Sequence, residues 1–296
     1  MDTFVLLTVA GLSIGALYYL LASGLSIIFG LLDVLSFAHG ALVTVGAYAA
    51  IETMTRLGTP SLLGFLLAVL AATAVGGLVA YVIERLLVRP MYSRGHLAQL
   101  LVTMGAALIM AALIESVKGP DEVHMPLPKA LEKSIHIFGA VIPVSMALTI
   151  LAAIALHGGL LLFLARTRHG LIVRAGVDNA DMVRGLGIDV SRSFSLVFVL
   201  GGLAAGLGGA LAAVYVRAAT PSLGDTYLVY AFIVLIIGGL GSLRGAFVAA
   251  AIAGVIQQFA NYYVKAGAGD IVVLALLVVV LLLRPQGLFG RVGRSV

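Results

Sequence analysis

Residues 271–283 read IVVLALLVVVLLL, an unbroken apolar run. A membrane β-strand alternates lipid-facing and lumen-facing side chains over about 10 positions, and this stretch does not alternate. It suits a helix, which satisfies its backbone hydrogen bonds internally and can cross lipid without an unpaired edge. Working outward, runs of about 20 residues, enough for a roughly 30 Å hydrocarbon layer, recur along the whole chain. They lie at 4–31, 36–55, 61–88, 97–117, 138–165, 193–216, 227–242, 243–263 and 269–284. Asp33 separates the first two spans weakly. The corner GGLGSLRG (Gly238–Gly245) joins two short spans that can be broken or re-entrant. The expectation is an all-α, polytopic transmembrane helical bundle of eight to nine spans, a single domain over 1–296.

Composition agrees. Hydrophobic residues make up 61% of the 296 and charged residues 10%, where soluble domains carry about 45–50% and 25%. Such a chain cannot cover itself for water, and its many runs exclude a single anchor. The first apolar stretch, Phe4 to about Leu32, is longer than a signal peptide's and is preceded by Asp2 rather than by basic residues. It reads as a retained first helix. The chain has no cysteine, which excludes disulfides and thiolate chemistry.

Lys and Arg sort by loop. Arg85, Arg89, Arg94, Arg166, Arg168, Arg174, Arg184, Arg192, Arg244, Arg284, Arg291 and Arg294 fall on one side. Arg56, Lys118, Lys129, Lys133, Arg217 and Lys265 fall on the other. The richer side is expected to face the cytoplasm, which puts the C-terminus inside. The net charge of +5 reflects this bias and not a nucleic-acid surface. A faint repeat relates SFAHGALV (36–43) to SLRGAFV (242–248) with one gap, laying His39 over Arg244 and Gly40 over Gly245. Both corners are expected on the cytoplasmic side.

Catalytic patterns are missing from the sequence. No lysine lies in a phosphate-cradling G-x-x-x-x-G-K-[ST] loop, and no nucleophile elbow, H-E-x-x-H pair or Cys/His metal cluster occurs. No cofactor is expected in this chain. Residues 166–192 mix arginines and aspartates with a small apolar set. A helix over 175–186 would group Asp178, Asp181 and Arg184 and present Met182, Val183 and Leu186, ending at Gly185 and Gly187. It suits either docking on a soluble partner or an ordinary solvated basic loop. Gly11-x-x-x-Gly15 and Gly202-x-x-x-Gly206 place small residues on one helix face, for close packing or for the wall of a path. His39 at a helix corner is either an interfacial, hydrogen-bonded group or a functional one. Glu84 and Arg85 read as a local pair. Arg217 and Asp225 flank RAATPSLGDT as an interfacial pair or as guards of an entrance.

Four stretches together resemble LivH-type permeases of branched-chain amino acid ABC importers. They are LSFAHGALVTVGAY (35–48), RTRHGLIVRAGVDNADMVRGLGID (166–189), IGGLGSLRGAFV (237–248) and LLLRPQGLFG (281–290). One departure is Ser36, where the family commonly has Asn. The resemblance implies a multi-pass permease of the bacterial inner membrane with no activity of its own. Its implied partners are a second, LivM-type permease, two cytoplasmic ATPases that hold ATP and Mg, and a periplasmic amino-acid-binding protein. It implies that 166–192 is the segment coupling to the ATPases, through Arg174, Asp178, Asp181, Met182, Arg184, Leu186 and Gly187. The residues expected along the translocation path or its gate are His39, Gly40, Gly202, Gly206, Asp225, Gly239 and Gly241. Relatives sharing these motifs carry urea, amides or other amino acids. An ion- or proton-coupled secondary transporter is the alternative class, and would need acids or broken helices at mid-membrane.

Overall fold

A computed structural model describes residues 2–32, 34–58, 61–92, 94–137, 139–175 and 190–290. The long helices are α1 (Asp2–Leu32), α2 (Ala38–Leu57), α3 (Leu62–Ile83) and α4 (His96–Lys118). A single turn, α5 (Lys129–Glu132), precedes α6 (Val144–Arg166) and α7 (Val190–Val216). The last three are α8 (Leu223–Gly238), α9 (Leu243–Tyr263) and α10 (Ala268–Leu283). α3 continues through a π turn, Glu84–Val88, and a 3-10 turn, Arg89–Met91. The strands are β1 (Val123–His124), β2 (Ser134–Ile137), β3 (Ala140–Pro143) and β4 (Ala218–Ala219), with β1 antiparallel to β4 and β2 to β3.

Each expected span has its helix, and the fold class is the expected helical membrane bundle. α1, α4, α6, α9, α3 with its extension and α7 from Arg192 are each long and apolar enough to cross a membrane. α8 and α10 are apolar but only 16 residues each, about 24 Å at 1.5 Å per residue. α2 carries His39, Thr44 and Tyr48, all buried. Its neighbours are α3, α4, α7 and α8; a helix enclosed by helices needs no apolar coat. Two starts differ from expectation. The fifth span begins at Val144 and not at 138, because Ser134–Pro143 folds as a hairpin turning at Gly139 (φ 85°). The seventh begins at Leu223 and not at 227.

Side chains and backbone tie each end of the bundle together. At one end Lys118, closing α4, pairs with Glu52 of α2, which also binds Arg56 at 2.6 Å. Arg217 after α7 lies 3.9 Å from Glu132. At the other end Gly30 meets Gly241, and Ser195 at the start of α7 bonds Glu84 at the end of α3. This second end carries Arg85, Arg89, Arg94, Arg166, Arg168, Arg174, Arg192, Arg244 and Arg284, so the basic residues sort as the loops predicted. Arg184, Arg291 and Arg294 lie outside the described residues.

Glycines set the inter-helix distances. The Gly11 and Gly15 face of α1 lies against Gly254 and Ala250 of α9, and the Gly202 and Gly206 face of α7 against Gly76 and Ala72 of α3. In lipid, where burial gives helices no hydrophobic drive to associate, such faces permit close van der Waals contact. α1 packs along α9 as α7 packs along α3, and α2 lies on α7 as α8 lies on α1. α1 and α7 run in opposite directions. The internal correspondence is therefore between α1–α4 and α7–α10, inverted. The 36–43 match to 242–248 pairs the starts of α2 and α9, which are not equivalent in this arrangement. Ser242 caps α9 by accepting from Gly245 N–H at 3.0 Å, whereas the Ser36 hydroxyl caps nothing.

Candidate translocation site at a helix junction

Two connections enter the bundle instead of staying at its ends. The His39 ring Nε2 lies 2.9 Å from the Leu21 carbonyl oxygen. Leu21 stands about 16 Å along α1 from its end at Leu32, at 1.5 Å per residue. α2 therefore begins inside the protein, after a non-helical segment whose Val34 and Ser36 are fully buried. Irregular backbone at membrane depth is tolerated in such an enclosure. From the opposite end, the chain leaving α7 turns back down along α2. Tyr48 Oη donates to the Ala219 carbonyl at 3.4 Å, and Gly224 N–H donates to Thr44 Oγ1 at 2.9 Å. α8 thus starts beside the first turn of α2, about 26 Å along α2 from Leu57. The two corners are not at the same level: the α2 start lies deep, while the α9 start lies at the basic end.

The junction of the two helix starts is made by Gly40 and Gly224. A Cβ on Gly224 would overlap the Gly40 carbonyl oxygen, and one on Gly40 would stand 2.9 Å from the Gly224 oxygen. The start of α2 also carries two buried polar atoms with no hydrogen-bond partner among the described residues, His39 Nδ1 and Ser36 Oγ. Since the Leu21 carbonyl can only accept, Nε2 carries a hydrogen, and Nδ1 is left buried against α1 with no hydrogen-bond partner among the described residues.

One face of α8 is open. Ser222, Asp225, Thr226 and Val229 are exposed, and the half-buried Phe232 sits 5.6 Å from the Phe37 ring, which is 37% exposed. The N–H groups of the first turn are used internally: Leu223 bonds Thr220 O, Gly224 bonds Thr44, and Asp225 and Thr226 bond Ser222 O. The junction therefore offers side chains and the positive end of the helix dipole, not free amides. Arg217 (φ 65°) pairs with Glu132 and not with Asp225, whose carboxylate has no ion-pair partner among the described residues. A carboxylate at this depth cannot face hydrocarbon cheaply, so this face belongs to water or to protein.

The other predicted residues fall elsewhere. Gly202 and Gly206 lie in the α7–α3 contact, with Gly206 also against Gly46 of α2. Gly239 and Gly241, at φ 99° and 79°, form the basic-end corner. There Leu288 N–H and Phe289 N–H bond the Ile237 and Gly238 carbonyls at 2.8 and 3.1 Å, so that 281–290 clasps 237–248. Arg174 is exposed on a helical segment, 168–175, with its Nε 3.4 Å from the Gly170 carbonyl. Asp178, Asp181, Met182, Arg184, Leu186 and Gly187 lie outside the described residues.

Glu84 does not pair with Arg85. It is fully buried and accepts from Ser195 Oγ at 2.7 Å and Tyr92 Oη at 3.1 Å. Burial, and then the Glu84 charge, raises the Tyr92 phenol above its ordinary value, so Tyr92 stays the donor. Sequence reasoning missed a polar chain near the other end. Gln257 donates to Asp270 Oδ1 at 2.7 Å and accepts from Tyr18 Oη at 2.7 Å, and Tyr18 stacks on Tyr230 with centroids 4.5 Å apart. A polar residue inside the apolar run of α9 was the available signal.

Residues 7–281 match the family described as branched-chain amino acid transport system / permease component. The chain is 30% identical to the high-affinity branched-chain amino acid transport system permease protein BraD of Pseudomonas aeruginosa, over 96% of this chain and 94% of that one. Its identity to the LivH permease protein of Escherichia coli K12 is 29%, over 95% and 94%. A probable LivH permease protein of Methanocaldococcus jannaschii is 27% identical, over 93% and 91%. A match spanning nearly the whole helical bundle leaves one assignment: the chain belongs to the permease-component family of branched-chain amino acid transport systems.

Proposed function

We propose that this chain is the permease subunit of an ABC importer that carries branched-chain amino acids across the bacterial inner membrane. The observation that carries the reading is the junction inside the bundle of the starts of two helices, α2 and α8, with a carboxylate on the open face beside it. Transporters commonly place substrate sites near mid-membrane where helices are interrupted. In this reading the basic end faces the cytoplasm, an orientation that the bias of arginines supports.

An amino acid is a zwitterion with a side chain, and the open face of α8 matches its parts in order. Asp225 attracts the α-ammonium group. The Ser222 and Thr226 hydroxyls, at the positive end of the α8 dipole, receive the α-carboxylate. Val229, Phe232 and Phe37 take the aliphatic side chain. A face bearing Asp225 at this depth needs a cover other than lipid, which is the place of a second, LivM-type permease. Two cytoplasmic ATPases, holding ATP and Mg, would act through 166–192, and a periplasmic binding protein would deliver cargo at the other end. This chain has no ATPase activity of its own.

Uptake of leucine by the reconstituted importer tests the site. Asp225→Asn keeps shape and removes charge, and a charge-assisted hydrogen bond of about 1.5–3 kcal/mol corresponds to a roughly 10- to 150-fold rise in the KM of the permease step. Unchanged leucine uptake would remove Asp225 from the path. An uncharged cargo such as urea lacks the ammonium group and would show no dependence on Asp225.

A further inference from the structure

At the basic end, the π turn Glu84–Val88 closing α3 brings Arg85 and Arg89 beside the first turns of α7. With Arg192 they line a groove of about 380 Å³, whose apolar wall is Tyr81, Leu196 and Val199. No acid lines it. The neighbouring Glu84 is fully buried and already bonded to Ser195 and Tyr92. Along α3, Leu78, Val82 and Leu86 are exposed, forming an apolar surface continuous with the mouth of the groove.

A positive-inside bias needs arginines near a membrane surface, but it does not need them to converge from two helices on one concavity. Guanidinium groups pair with phosphate oxygens through two parallel N–H bonds, and basic pockets between spans on the cytoplasmic side suit anionic headgroups. We infer that this groove binds the phosphate headgroup of an anionic phospholipid of the cytoplasmic leaflet, with its acyl chains along the exposed face of α3. A soluble phosphate would gain nothing from Tyr81, Leu196 and Val199. An acidic segment of a partner protein would have to reach down to acyl depth to touch them. Placing the groove in the cytoplasmic leaflet rests on the orientation proposed above; lipid binding in detergent does not, so the two fail separately.

The test uses the full-length chain, with whatever subunits co-purify, titrated in mixed micelles with phosphatidylglycerol or phosphatidylcholine and read by native mass spectrometry. Phosphatidylglycerol should bind in preference. Arg85→Gln with Arg89→Gln should weaken it about thirtyfold, at the usual contribution per basic residue near an anionic surface. Arg166→Gln with Arg284→Gln, the same charge loss at the same end, should change it by less than about threefold. Arg85→Lys with Arg89→Lys keeps the charge but not the fork, and should fall between; it also reports on the site if the Gln pair is poorly produced. Equal binding of the two lipids, or retention of phosphatidylglycerol by the Gln pair, would overturn the proposal. Displacement of the lipid by millimolar inorganic phosphate would reassign the groove to a soluble anion. Loss of co-purifying ATPase with lipid binding intact would reassign it to a protein partner.

Discussion

Gly224 and Gly158 are both helical glycines in apolar helices, yet their neighbours differ completely. A Cβ at Gly224 meets the Gly40 carbonyl, while one at Gly158 meets nothing within 4 Å. Gly224→Val should therefore force α8 away from α2, at a cost of about 1–3 kcal/mol or more, since backbone gives way less readily than a side chain. Gly158→Ala should stabilise by about 0.5–1 kcal/mol through helix propensity alone. Melting of the purified variants in detergent checks both. A Gly224→Val protein that melts with the wild type would mean that the two helix starts do not touch. The sequence showed that glycines were non-randomly placed, but it could not separate these two, because crowding is a property of the neighbouring helix. Asp225 was legible as a loop-flanking acid; its depth was not, and neither was the replacement of its expected partner by Glu132 on Arg217. Asp270 went unnoticed for the same reason, since only the fold brings Gln257 to it.

At the scale of elements, apolar runs located every long helix, and the misplaced starts fall where the chain between helices is not helical. Residues 34–37 are too short and too apolar to mark the depth of their break, so the α2 start appeared to lie at a membrane surface; 217–222 was legible as a loop, but not as one that enters the bundle. The corner 237–248 and the tail 281–290 were visible as separate motifs; the structure shows that they are two halves of one clasp. Charge and apolar spacing leave 166–192 as either a docking helix or a solvated loop; its coupling role is implied by the family resemblance, and its centre, 176–189, lies outside the described residues. Its role has a direct test. If Met182 and Leu186 dock in a groove on an ATPase, Met182→Asp with Leu186→Asp would bury unpaired charge there, costing about 2–5 kcal/mol. Co-purifying ATPase should then fall roughly 30-fold or more, with the permease itself still inserted at normal levels. ATPase retained at wild-type levels, with transport intact, would mean that the segment is only a solvated basic loop.

At the scale of the molecule, α1–α4 and α7–α10 are inverted counterparts whose interrupted second helices meet near mid-depth. That architecture allows either half to rock about a fixed site, and it serves pumps driven by ATP and carriers driven by ion gradients alike. The buried polar chain from Tyr18 through Gln257 to Asp270 would also suit an ion-coupled carrier. Family membership and the lack of any phosphate-binding loop in this sequence favour a permease powered by separate ATPases. The deciding measurement is leucine uptake into proteoliposomes holding this chain with its partner permease and ATPases, with binding protein supplied at the other face. The account predicts accumulation that requires ATP and loaded binding protein, persists when ionophores collapse all ion gradients, and drops with Asp225→Asn. Accumulation by this chain alone, driven by a proton or sodium gradient without ATP, would contradict it.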